Sequence, residues 1–181
     1  MSSAPPQWDT NPSAWSQRLP IVGLALVGGA IATYLALYQY GVVDTVWEPF
    51  FGDGSKRVLD SRLSNVLPIK DAALGAISYL ADAVTGVIGG RKRWASMPWI
   101  VIIFGLAVGP LGAISILLVI AQPVLYGSFC TLCLGSAAIS LMMIPPAVDE
   151  ALASGQELRR VKNAGGSVWT AFWRGSEKAL A

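Results

Sequence analysis

No histidine occurs in the 181 residues, and cysteine occurs only twice. The first absence removes histidine-based acid–base catalysis, imidazole metal ligation and histidine-ligated haem from the chemistry open to the chain. Two thiols cannot build a disulfide framework and supply only half of a closed zinc site, so no metal is expected. Charge is scarce as well: Asp, Glu, Lys and Arg make up 13% of the residues, against about 25% in an ordinary soluble domain. A net charge of +2 without a basic, aromatic-laced stripe excludes a nucleic-acid partner. The first twenty residues lack a basic stretch running straight into an apolar core, so they read as a polar tail before an uncleaved signal-anchor. There is no internal repeat and no low-complexity segment.

What fills the chain instead is apolar. Hydrophobic residues are 54% of the total and the mean hydropathy is +0.54, which points to an integral membrane protein. Residues 21–43 carry no charge and are long enough for a ~30 Å hydrocarbon layer. Residues 71–90 form a second candidate, rich in Ala and Gly, with Asp71 at its start and Asp82 inside. Such small residues suit a helix inside a bundle. Asp82 is either a functional carboxylate or the partner of Arg91 or Arg93. The third span covers 99–122, with a bend expected at Gly109-Pro110, and the fourth runs from 126 to 144, ending at Pro145-Pro146.

The expected organisation is therefore all-α: an N-terminal tail (1–19), a four-span domain (20–146) and an amphipathic tail (147–181). Four spans put both termini on one side, together with Arg18, Arg91-Lys92-Arg93, Arg159, Arg160, Lys162, Arg174 and Lys178. The opposite side holds Lys56, Arg57, Arg62 and Lys70 among five acidic residues, including Glu48. The positive-inside rule then makes both termini cytoplasmic, and the bacterial inner (plasma) membrane is the expected location. The 44–70 segment, with Trp47, Phe50 and Phe51, becomes an outer capping loop, and Gln122-Pro123-Val124-Leu125 an outer turn. Its Gly52-Asp53-Gly54-Ser55 run is too short for a phosphate loop. Trp169, Phe172 and Trp173, interleaved with Arg174 and Lys178, give the C-terminal tail the character of an interfacial helix on membrane lipid.

Both thiols, Cys130 and Cys133, sit at the mouth of the fourth span, under the outer and disulfide-permissive face. Three residues of separation brings them to one helix face. At a helix start, free N–H groups and the helix dipole stabilise a thiolate, the setting in which one cysteine attacks and the other resolves. On this reading Cys130 is the more exposed sulfur and Cys133 the deeper one. The bland alternative, two small apolar residues that happen to be near each other, stays open on spacing alone.

Cys130-Thr-Leu-Cys133, the segment Ser55-Lys-Arg-Val-Leu-Asp-Ser61, and Leu74-Gly75-Ala76 followed by Tyr79 together resemble the vitamin K epoxide reductase family of membrane thiol oxidoreductases. The likeness runs from the first span to about residue 145. It implies a four-helix bundle around a quinone, with Cys130 exchanging with a partner and Cys133 facing the ring. By the same resemblance Ser61, Asp71 and Ala137 occupy quinone-contacting positions, Asp71 standing where some members have Asn and Ala137 where a Tyr is common. Typical members carry a second cysteine pair in the outer loop as an electron relay. Here position 55 is serine and no other cysteine exists to supply that relay.

Two functions follow. One is a thiol–disulfide oxidoreductase in which Cys130 and Cys133 exchange electrons between a membrane quinone and a thioredoxin-like or other thiol protein that reaches Cys130 directly. The other is a non-catalytic subunit of a larger respiratory or photosynthetic membrane complex.

Overall fold

Every regular element among the described residues is a helix. The computed structural model describes residues 4–5, 8–61 and 68–180, the side chain of Leu111 excepted. Arg62 and the rest of the 62–67 part of the capping loop lie outside the described residues. In chain order the helices are α1 (Trp15–Gln39), α2 (Gly54–Leu59), α3 (Asp71–Val87), α4 (Arg93–Ser96), α5 (Pro98–Tyr126), α6 (Thr131–Asn163), α7 (Val168–Arg174) and α8 (Ser176–Leu180). By length and composition α1, α5 and α6 can each cross a membrane. Helix α3 has 17 residues, or about 25 Å, at the short limit for a span.

The helices do not stop where turn chemistry alone would stop them. The Gln122-Pro123-Val124-Leu125 segment is the last turn of α5 and not a turn between spans; the connection is 127–130. Proline's φ suits a helix, and Pro123 costs one backbone bond without reversing the chain. For the same reason Pro145 and Pro146 lie inside α6, which continues to Asn163 instead of ending there. The C-terminal tail is thus built from the far half of α6 together with α7 and α8.

Contacts divide the chain into two units, and four long helices contribute residues to both. The first unit comprises Met1–Val22, Val84–Pro110 and Met143–Ala181. Its centre is polar. Arg18 and Arg93 are 1% and 2% exposed, and both guanidinium groups cap the C-terminal end of α3. Arg18 donates to the carbonyls of Gly86, Ile88 and Gly89, and Arg93 to those of Thr85 and Ile88. A helix end leaves four carbonyls without intrahelical partners, and cations there also oppose the negative end of the dipole. Arg93 makes a two-pronged ion pair with Glu150, which also accepts from the Ser13 hydroxyl. Of the two arginines that the sequence offered Asp82, Arg91 or Arg93, the second takes Glu150 as its buried carboxylate. In the tail Trp173 packs on Trp99, Trp169 and Phe172, with ring centroids 5.0–6.0 Å apart, and Trp169 is left 73% exposed.

The second unit comprises Gly23–Ala83 and Leu111–Met142. Leu35, Val46 and Leu59 form its buried apolar centre, with Ile31, Tyr34, Tyr38, Ala72, Leu132 and Cys133 packed around it. Within it α1 and α3 approach closely at Gly28, where any Cβ would fall 2.5–2.9 Å from the Tyr79 ring. The Tyr79 hydroxyl reaches α6, bonding to the Ser136 carbonyl at 2.6 Å and the Ser140 hydroxyl at 2.7 Å.

Candidate redox site

The site is the start of α6, and its first property is local. Cys130 is the N-cap residue: its carbonyl accepts the first helical bond, from Leu134 at 2.9 Å. Its sulfur takes the N–H of Cys133 at 3.1 Å, the place a serine or aspartate oxygen fills in an ordinary cap. Cys130 and Cys133 are joined as a disulfide, with Cα atoms 5.2 Å apart, inside the range that this bond accepts. Spacing at a helix start thus brings the two sulfurs together without distorting the helix.

Long-range contacts complete the site. The buried Cys130 N–H donates to Gln122 Oε1 at 2.9 Å, so the last turn of α5 holds the cap residue. The Thr131 N–H donates to Glu48 Oε2 at 2.9 Å, and the Thr131 hydroxyl donates to Glu48 Oε1. Glu48 also accepts the Ser55 hydroxyl from α2 and the N–H groups of Phe50 and Phe51 at 3.2 and 3.3 Å. The same segment packs by shape: the Phe51 and Phe129 rings are 5.3 Å apart, and a Cβ on Gly54 would collide with the Phe129 carbonyl. Tyr34 anchors the segment from α1, accepting the Trp47 N–H at 3.1 Å.

Charge follows from this geometry. Burial pushes the Glu48 carboxyl up, but the bonds from Ser55, from Thr131 and from the Phe50 N–H outweigh it and hold the group at about 2. Glu48 is therefore a fixed anion at neutral pH, one peptide unit from Cys130.

The sequence-derived exposure of the two sulfurs is reversed. Cys130 is fully buried, whereas Cys133 is half-buried against the Leu35, Val46 and Leu59 centre. Spacing within α6 cannot reveal the surroundings of this turn, because Gln122 bonds Cys130 and the 48–54 segment packs on Phe129 and Thr131 from remote parts of the sequence. Ser55, where the resemblance leads one to expect a loop cysteine, is 1% exposed and bonded to Glu48. Asp71 Oδ1 accepts from Gln39 Nε2 at 2.6 Å and from the Ala72 N–H at 2.8 Å. Gln39 also donates weakly to the Leu59 carbonyl at 3.4 Å, so Asp71 is tied to the end of α2, two residues before Ser61. Ala137 is buried one turn past Cys133, on the same face of α6. Sequence reasoning missed Glu48, Gln122, Thr131 and Gln39. The one local signal was an acidic residue seven positions before Ser55 in an otherwise apolar, aromatic stretch.

Among the described residues no group of three or more Cys, Asp or Glu is arranged to hold a metal ion. A model of the vitamin K epoxide reductase family matches residues 19–148. No curated protein and no solved structure matches the chain.

Proposed function

The chain belongs to the vitamin K epoxide reductase family, and on that premise we propose a membrane thiol–disulfide oxidoreductase whose working pair is Cys130 and Cys133. The observation that carries this reading is the disulfide at the N-cap of α6, walled by apolar residues and a single fixed anion. In the proposed arrangement α1, α3, α5 and α6 form the four-helix bundle of residues 20–146, with both termini cytoplasmic in a bacterial inner membrane.

The residues around Cys133 suit a quinone head group. Leu35, Leu59 and Leu132 offer an apolar wall, and Ala137, one turn past Cys133, adds only a methyl group to it. Gln39 Oε1 is buried with no partner among the described residues, an acceptor suited to a quinol hydroxyl. Gln39, Ser61, Asp71 and Ala137 are thus the proposed contacts. When bound, a quinone supplies the acceptor for the two electrons and two protons released as the dithiol closes to the disulfide.

The chain's own residues set the other half-reaction. A partner thiolate attacks the disulfide to form a mixed disulfide, and the partner's second thiol then displaces it. The partner leaves oxidised and Cys130 and Cys133 are again thiols. With serine at position 55 there is no internal relay, so the partner, thioredoxin-like in its chemistry, must meet Cys130 itself after the 48–54 segment has moved aside. Nothing in the geometry favours the non-catalytic subunit.

Thiol trapping in native membranes tests the reading. Free thiols are alkylated, disulfides are reduced, and the released thiols are labelled with a second reagent, with and without added quinone. Quinone must move Cys130 and Cys133 from the first label to the second; a pair whose state ignores quinone supply refutes the proposal.

A further inference from the structure

The carboxylate of Glu48 stands where no relay residue was expected. It accepts bonds from both ends of a gap in sequence: Ser55 on α2, and the backbone and hydroxyl of Thr131 between the two cysteines. We infer that Glu48 is a positioning residue for the redox pair, clasping the 48–55 segment onto the start of α6 and holding a negative charge that makes Cys130–Cys133 a more reducing couple. The inference rests on the oxidoreductase reading and deepens it.

The argument is electrostatic and geometric. Reduction of the disulfide produces thiols, and any thiolate at a helix start draws stability from free N–H groups and from the positive end of the dipole. Here the Thr131 N–H, the first of those donors, is already bonded to Glu48. The anion also repels a thiolate on the next residue. Both effects act on the reduced state and leave the neutral disulfide nearly untouched, so the equilibrium moves toward the disulfide. A couple with that bias gives up electrons readily, as donation to a quinone requires. The clasp further explains how a chain without loop thiols keeps its cap closed over Cys130: hydrogen bonds from Ser55 and Thr131, through one carboxylate, do what a covalent link would otherwise do.

The test is the equilibrium of the purified full chain with a glutathione redox buffer, which needs no quinone. Glu48→Gln keeps the shape and removes the charge, and should shift the equilibrium about tenfold toward the dithiol, near 30 mV for two electrons. Thr131→Val removes one donor, leaves the carboxylate less neutralised, and should shift it about threefold the other way. A purely structural role for Glu48 would move both variants in one direction. Shifts of the same sign, or none in either variant, overturn the assignment. Should Glu48→Gln fail to fold, Thr131→Val decides alone: no shift, or one toward the dithiol, overturns it. Failure of quinone to reoxidise a wild-type pair would sink the oxidoreductase reading while leaving this measurement intact.

Discussion

Glu150→Ala would leave the Arg93 guanidinium buried with half of its hydrogen bonds gone. In the native protein Glu150 takes two N–H groups of Arg93 and the Ser13 hydroxyl, and the Arg93 side chain is 2% exposed. Its remaining bonds go to the carbonyls of Thr85 and Ile88. Removing one partner of such a pair strands a charge and costs about 3–5 kcal/mol, whereas replacing both by apolar residues is often close to neutral. The double variant Arg93→Met/Glu150→Leu has two extra losses, since the Thr85 carbonyl gives up a donor and the buried Ser13 hydroxyl an acceptor, at about 1 kcal/mol each, while Ile88 keeps Arg18. For a chain of this length 1 kcal/mol corresponds to about 2–4 °C in midpoint, so Glu150→Ala should lower Tm by roughly 6–20 °C. The double variant should recover part of that. Tryptophan fluorescence of the full chain during heating in mild detergent reads both, since Trp94 is buried beside the pair in sequence. A single variant within about 2 °C of wild type refutes the claim that this ion pair organises the first unit. So does a double variant as unstable as the single one.

Gly28→Ala should force the Tyr79 ring off its place, because the added carbon would lie 2.5–2.9 Å from three ring atoms. A loss of about 1–3 kcal/mol is expected, read as a fall in Tm that Tyr79→Phe does not reproduce, since phenylalanine keeps the ring and loses only the bonds to Ser136 and Ser140. Glu48 predicts an acid dependence. Its folded value is depressed from 4.5 to about 2, so its stabilising contribution is complete above 4.5 and is lost as pH falls through about 2. Cap opening, measured as protease sensitivity of the 48–55 segment, should therefore increase across that window in the wild type, and Glu48→Gln should flatten this increase.

Much of the site can be read from local pattern, and what cannot be is long-range. Cys130-x-x-Cys133 ahead of an apolar run needs only neighbouring residues to announce a thiol pair at a helix start, and the disulfide stands there. Helix identity was equally legible, because long uncharged runs leave few alternatives. Helix ends were not. Pro123, Pro145 and Pro146 carry the local signature of a stop, yet in an apolar setting the helix persists at the loss of a few backbone bonds. The end of α3 is set by Arg18, about seventy residues away, and Arg93. Glu48 meets Thr131 across 83 residues, and no periodicity carries that information. The surroundings of Cys130 are equally remote: helix geometry orders the two sulfurs, but the Cys130 N–H is taken by Gln122 of the preceding helix.

The Cys130 sulfur belongs at once to a bond that takes up two electrons when it breaks and to the hydrogen bond that closes the first turn of α6. Electron transfer at this atom is therefore also a change in the acceptor seen by the Cys133 amide. A thiolate there would grip the N–H harder than a disulfide sulfur does, and a neutral thiol would compete with it by offering a proton of its own. One backbone amide thus works as a built-in gauge of oxidation state. Its proton resonance and exchange rate can be followed during turnover without any probe attached to the cysteines.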